Sequence, residues 1–188
     1  MKNLGMGCTP SVGKIRQHRT VGLEIDVSKC VGCGKCKDAC PKNLPDIIKG
    51  KARNTSTQCM RCPICIDTCP MEAIRFVEKE NLCKALASAA YGVLSTFKPS
   101  KVMYVSFAKD TTQYCDCLPN PGQILLKDVG VFASDSPVSI DAAFLQSIDY
   151  KVLNDASKVD CMLQVEEAKV IGITGELKPK IEVLSQLA

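Results

Sequence analysis

The chain has no tryptophan, a single histidine and only 5% aromatic residues among its 188. A core built on large rings is excluded, so Ile, Val, Leu and Ala must supply the packing. No stretch approaches the ~20 consecutive apolar residues that a bilayer-spanning helix requires. No apolar signal segment opens the sequence, which argues against a secreted, disulfide-stapled scaffold and for free or metal-bound thiols in a reducing cytoplasm. Hydrophobic residues make up 46%, too many for a generally disordered chain.

Cysteine is what the sequence has in excess. There are 13, an odd number, and eight of them fall in two blocks. The first reads Cys30-Val31-Gly32-Cys33-Gly34-Lys35-Cys36-Lys37-Asp38-Ala39-Cys40-Pro41. The second, Cys59-Met60-Arg61-Cys62-Pro63-Ile64-Cys65-Ile66-Asp67-Thr68-Cys69-Pro70, repeats it 29 positions later. Both follow the C-x-x-C-x-x-C-x-x-x-C-P run that ligates cubane clusters in two-cluster ferredoxins. Three cysteines at intervals of three wrap a tight loop whose backbone N–H groups turn inward toward sulfur. The fourth is expected at the start of a helix, facing the other cluster. The expected ligand sets are therefore Cys30, Cys33, Cys36 and Cys69 for one 4Fe–4S cluster, and Cys59, Cys62, Cys65 and Cys40 for the other. Zinc is the competing metal, but a tetrahedral thiolate site needs only two C-x-x-C pairs. It leaves the third cysteine and the repeated Cys-Pro ending unexplained. Pro63 removes one N–H from the second loop, so the two clusters are expected to be tuned differently.

The formal net charge of +4 does not imply a nucleic-acid partner. The surplus lies in residues 1–80, with 14 Lys and Arg against 8 Asp and Glu. Each cubane with four thiolates carries a net charge of about −2 and offsets it.

The rest of the chain reads as α/β by alternation of periods. Leu82, Leu86, Ala89 or Ala90, and Val93 predict a helix over 81–97, with Asn81 as N-cap and Pro99 closing it. Lys101 to Phe107 and Val129 to Ala133 predict strands. Ser136-Pro137 predicts a helix start, with Ile140, Phe144 and Ile148 on one face. Val170 to Ile173 predicts a third strand, ended by Gly175. So thin a sheet is expected to need a partner at its edges.

Five cysteines lie outside the blocks. Cys83 and Cys161 sit in apolar, helix-like surroundings and read as small buried hydrophobes. Cys115-Asp116-Cys117 in a turn can grip one metal or form a redox pair. With Cys8, which follows Gly5-Met6-Gly7, and with His18, these residues form a candidate third site. Gly7 to Gly13-Lys14 fails as a phosphate loop, because five residues separate the glycines and Ile15 follows the lysine.

In order along the chain, Lys2-Asn3-Leu4-Gly5-Met6-Gly7-Cys8, Gly13-Lys14, His18, the two cysteine blocks, Tyr114-Cys115-Asp116-Cys117, Asp128-Val129-Gly130-Val131-Phe132-Ala133-Ser134 and Pro137-Val138-Ser139-Ile140-Asp141 resemble domain-of-unknown-function family 362. The resemblance implies an α+β protein in which a bacterial two-cluster ferredoxin-like module is inserted into a small α/β domain. The expected division is 1–22, a Gly-rich segment belonging to the α/β part; 23–80, the ferredoxin module; and 81–188, the α/β domain. Longer members carry further chain ahead of the Lys2-Asn3-Leu4-Gly5 segment. This implies either a homo- or hetero-oligomer that completes the α/β domain or a shortened form that keeps electron transfer alone.

The expected function is relay of single electrons through two 4Fe–4S clusters to redox partner proteins in a larger complex, of the kind found in anaerobic metabolism. Two alternatives stand beside it. One is an oxidoreductase with its own site near Cys115 and Cys117, and the other is a scaffold that delivers a metal centre.

Overall fold

The computed structural model describes residues 1–98, 101–114 and 121–184. It combines short helices with small sheets, a mixed α and β architecture. Two compact units emerge, Met1–Cys8 with Cys83–Ala188, and Thr9–Leu82. The divisions fall at 8/9 and 82/83, where the sequence suggested 22/23 and 80/81.

The Thr9–Leu82 unit opens with α1, Ser11–His18. Then come β1 (Gly22–Ile25), α2 (Lys35–Asp38), β2 (Asp46–Ile48), β3 (Lys51–Arg53), α3 (Ile64–Asp67) and β4 (Ile74–Val77). After α1 the order is strand, short helix, strand, stated twice. β1 and β4 pair antiparallel from Gly22↔Val77 to Ile25↔Ile74. β2 and β3 form a hairpin whose last paired residues are Ile48 and Lys51. Its two-residue loop, Lys49-Gly50, has φ of 50° and 72°. Two positive φ values match the right-handed twist of paired strands, and glycine accommodates the second without strain.

Duplication in the sequence is also duplication of backbone bonding. The Lys37 N–H donates to the Gly34 carbonyl and the Ile66 N–H to the Pro63 carbonyl, both at 2.8 Å. The Cys40 N–H donates to Lys37 at 3.1 Å, and the Cys69 N–H to Ile66 at 3.2 Å. The Asn43 N–H donates to Cys40 and the Glu72 N–H to Cys69. Asn43 and Glu72 both take positive φ, 55° and 47°. The core of this unit is small and partly thiol: Cys30, Cys36, Ala52, Ala73 and Ile74 are buried, with Leu23, Ile25, Ile47 and Ile66 packed around them.

The other unit contains most of α4 (Glu80–Leu94), then β5 (Tyr104–Ala108), β6 (Gly130–Ser134), α5 (Pro137–Gln146), α6 (Lys151–Ser157) and α7 (Met162–Val170). As the composition demanded, small aliphatic residues fill its core: Ala87, Ala90, Val138, Ala142, Val165 and Ala168 are at most 1% exposed. α5 packs against α7 and against both strands, and Phe132 meets Phe144 edge-on at 6.1 Å. The N-terminal turn Asn3–Gly7 lies so close to α4 that a Cβ on Gly5 would stand 2.3 Å from the Leu86 carbonyl oxygen.

Ser136 caps α5 as the sequence predicts. Its hydroxyl oxygen accepts the Ser139 N–H at 3.0 Å, and Pro137 stands in the first turn. That hydroxyl also donates to the Thr174 carbonyl at 2.8 Å, so the cap tethers Thr174 as well.

Three local expectations are corrected. Val170 to Ile173 is not a strand; Val170 ends α7 and Ile171 is its C-cap. The β-branched run suggested a strand, but α7 packs on α5 and tertiary packing overrides a weak propensity. Among the described residues this unit therefore has two strands, paired antiparallel from Tyr104↔Ser134 to Ala108↔Gly130. Asn81 lies inside α4 rather than capping it, and its side-chain amide donates to the Thr20 carbonyl at 3.3 Å. Ile148 lies beyond α5 and packs on the core from the following turn.

Candidate functional site

The eight block cysteines surround two cavities. Cys30, Cys33, Cys36 and Cys69 line the first, with Ile47, Ala52, Ala73 and Ile74 among the apolar walls. Cys40, Cys59, Cys62 and Cys65 line the second, with Leu23, Leu44 and Ile64. The two spaces are alike in size, about 350 and 410 Å³, each open in part to solvent. In each, three cysteines come from one loop and the fourth from the other block.

The route of that fourth cysteine differs from expectation. Cys40 and Cys69 do not start helices; they follow the ends of α2 and α3. Each short helix turns the chain once, and the N–H bonds to Lys37 and Ile66 hold the exit that carries the thiol into the other half.

Burial and mutual proximity shape the electrostatics of these thiols. Burial, followed by the neighbouring thiols Cys62, Cys59, Cys36 and Cys40, pushes the Cys65 thiol up to about 12. Thiolates crowded like this repel one another unless a cation holds them, and metal binding deprotonates them. Cys36 is also raised, mainly by burial. Cys30 is lowered, chiefly by the Ala52 N–H that donates to its sulfur at 3.3 Å. The Ala73 N–H donates to the Cys69 sulfur at 3.4 Å. These N–H groups stabilise negative charge on sulfur in the first cavity.

Several residues that sequence reasoning passed over hold the two loops. The Lys51 ammonium donates to the Cys30 carbonyl, and the Arg19 guanidinium to the Cys59 carbonyl at 3.2 Å. The Arg61 guanidinium donates through Nε to the Val21 carbonyl at 3.1 Å. Gly32 and Arg61, equivalent in the repeat, both have positive φ, 70° and 57°. Aligning the two blocks would have exposed this pair, because glycine in one copy marks a left-handed position that the other must share.

None of the eleven cysteines among the described residues is in a disulfide. No group of three or more His, Cys, Asp or Glu residues among the described residues is arranged to hold a single metal ion. The block cysteines are instead spread around their cavities. Of the expected third site, Cys8 is exposed in the unit with Met1, and His18 ends α1 in the other unit. Cys115 and Cys117 lie outside the described residues. Cys161 packs against the aliphatic core, as expected of a small hydrophobe. Burial, and then Cys83 nearby, push its thiol up to about 11.

Among the described residues, no helix is long and apolar enough to cross a membrane. No solved structure matches the chain. Several curated proteins match it in part. The formate dehydrogenase iron–sulfur subunit of Haemophilus influenzae is 31% identical over 146 residues, 64% of this chain and 46% of that protein. The nitrate-inducible formate dehydrogenase iron–sulfur subunit of Escherichia coli is 28% identical over 136 residues, 61% of this chain and 46% of that protein. The formate dehydrogenase-O iron–sulfur subunit of Escherichia coli is 32% identical over 96 residues, 46% of this chain and 31% of that protein. The matched segments thus span less than half the length of these relatives. The model of the family described as "Domain of unknown function (DUF362)" matches residues 1–146, well over half of the chain and the whole stretch that carries the cysteine blocks, so the chain belongs to that family.

Proposed function

We propose that this chain is an iron–sulfur electron-transfer protein that relays single electrons through two 4Fe–4S clusters within a larger redox complex. The observation that carries the reading is the division of eight cysteines between two cavities, three from one block and one from the other in each. Strand, short helix, strand, stated twice, is the plan of a two-cluster ferredoxin module. Cys30, Cys33, Cys36 and Cys69 would hold the first cluster, and Cys59, Cys62, Cys65 and Cys40 the second. When bound, such a cluster takes up and returns one electron at a time. The protein's part is to supply thiolates, exclude water with apolar walls and stabilise charge with N–H donors such as those of Ala52 and Ala73. Four thiols spread around a cavity suit a multi-atom cluster better than one zinc ion, whose four sulfurs must all lie about 2.3 Å from the metal. The matched proteins are named iron–sulfur subunits, which supports the same reading.

Protein isolated without oxygen is expected to contain about eight iron and eight sulfide per chain, as two cubanes require. After reduction, electron paramagnetic resonance should show two interacting paramagnets, because crossed ligation keeps the clusters adjacent. Zinc in place of iron and sulfide would sink the reading.

A subunit role also fits the β5–β6 ribbon. Val105, Phe107 and Val131 form an apolar patch on one face and are 55%, 74% and 62% exposed. Surfaces of this kind on an edge-bearing sheet are where partners bind. We therefore expect a stable complex with another subunit of the redox assembly, burying about 2,000 Å² or more, as permanent contacts do. Light scattering on the cluster-loaded protein purified from its host should give a mass above one chain, and Phe107→Glu should reduce it. A monomer of unchanged mass in both samples would refute this part of the proposal.

A further inference from the structure

The two halves of the Thr9–Leu82 unit differ at one position in a way that the repeat makes plain. Residue 32 in the first loop and residue 61 in the second both adopt left-handed backbone, with φ of 70° and 57°. Glycine occupies the first at no steric penalty. Arginine occupies the second, where a Cβ crowds the following carbonyl. Strain of this kind persists where the side chain contributes something the surroundings need.

The side chain of Arg61 is anchored and partly orphaned. Its Nε donates to the Val21 carbonyl at 3.1 Å. Its Nη1 is buried and has no hydrogen-bond partner. No carboxylate forms an ion pair with it among the described residues. A guanidinium stays charged at any ordinary pH, so burial cannot be relieved by losing its proton. A charged side chain with one buried, unpaired N–H is unfavourable unless negative charge stands nearby.

Negative charge is what the neighbouring residues would bring. In sequence, Arg61 lies between Cys59 and Cys62, two of the four thiols that line the second cavity. Resting on the two-cluster reading above, we propose that Arg61 is a positioning and charge-balancing residue for the second cluster. It makes that cluster easier to reduce than it would otherwise be.

The first loop meets the same requirement with dipoles. The N–H groups of Ala52 and Ala73 point at the sulfurs of Cys30 and Cys69. In the second loop, Pro63 has replaced the residue equivalent to Gly34 and taken one N–H away. The second loop carries a fixed positive charge, Arg61, at the position where the first loop has Gly32. Reduction adds one negative charge to a cluster whose thiolate ligands already make it anionic, and a fixed cation nearby favours the reduced state.

The test is a redox titration of the full chain, purified without oxygen and followed by electron paramagnetic resonance. Arg61→Gly restores the residue of the first loop and relieves the backbone. Arg61→Asn removes the charge but tolerates the left-handed conformation. Arg61→Lys keeps the charge. In Arg61→Gly and Arg61→Asn, one of the two midpoints should fall by at least a tenfold change in its reduction equilibrium, about 59 mV for one electron. The other should stay in place, and Arg61→Lys should recover most of the shift. The cluster that moves should be the one lost in Cys40→Ser. Unchanged midpoints in variants that retain both clusters would overturn the proposal. So would loss of the second cluster from Arg61→Gly, since Arg61 would then act as scaffold alone. Iron and sulfide analysis of the unsubstituted chain keeps the two ideas apart. Absence of clusters there ends the function reading, whereas full clusters with unmoved potentials end only this inference.

Discussion

Cys40→Ser is expected to cost the protein its second cluster and leave the first intact, although Cys40 belongs to the first block. Its thiol lines the cavity formed otherwise by Cys59, Cys62 and Cys65. Cys36→Ser should do the reverse, because Cys36 lines the cavity shared with Cys30, Cys33 and Cys69. Each variant should retain about half the iron and sulfide, four of each per chain if the sites are cubanes. The remaining cluster should give an isolated paramagnetic signal without the broadening of a coupled pair. Different spectra from the two variants would identify different survivors. Identical spectra would mean that each block closes on a cluster of its own, and the crossed assignment would fall.

Gly32→Ala should be nearly as damaging, without touching a ligand. An added Cβ would stand 2.1 Å from the Gly50 carbonyl oxygen, a backbone atom of the β2–β3 hairpin. The alanine must also hold φ near 70°. The conformation alone costs about 1–2 kcal/mol. Moving the hairpin away costs about 1–3 kcal/mol more, as overpacking does. The hairpin supplies Ala52, whose N–H meets the Cys30 sulfur, so the displacement also disturbs the first cavity. Iron content should fall by about half and the melting temperature should drop. Gly92→Ala is the control, because nothing lies within 4 Å of its added Cβ. In helix α4 that change should stabilise by up to about 1 kcal/mol. A Gly32→Ala protein with full iron and an unshifted melting temperature would show that the hairpin is free to retreat.

Much of the candidate site was legible in the sequence, for a simple reason. Eight cysteines at fixed intervals, doubled at a spacing of 29, encode a short-range geometry. The loop that three of them form depends on local backbone, and local backbone follows local sequence. The helix cap at Ser136-Pro137 was legible on the same ground, because capping spends one side chain on an N–H three residues away. The composition also spoke correctly about the core. Without large rings, the most deeply buried residues of the larger core are alanine and valine, with Leu145, Ile173 and Met1 beside them.

Long-range contacts were not legible, and they decided the rest. Whether Val170 to Ile173 became a strand depended on α7 packing against α5, which no window around Val170 reveals. Asn81 had the identity of a cap, yet the Thr20 carbonyl, far away in sequence, took its amide. Gly32 looked like ordinary loop glycine until the hairpin at Gly50 was laid against it. Arg61 looked like a solvated charge in a loop, and only folding showed one of its nitrogens to be buried and unpartnered. The sequence by itself determined which thiols are available at the candidate site and how each loop turns. The tertiary structure alone decided which thiols share a cavity, which glycine lies against a neighbouring carbonyl and which arginine nitrogen is buried. Each of those depends on the approach of segments tens of residues apart, and that approach is set by the packing of the whole unit.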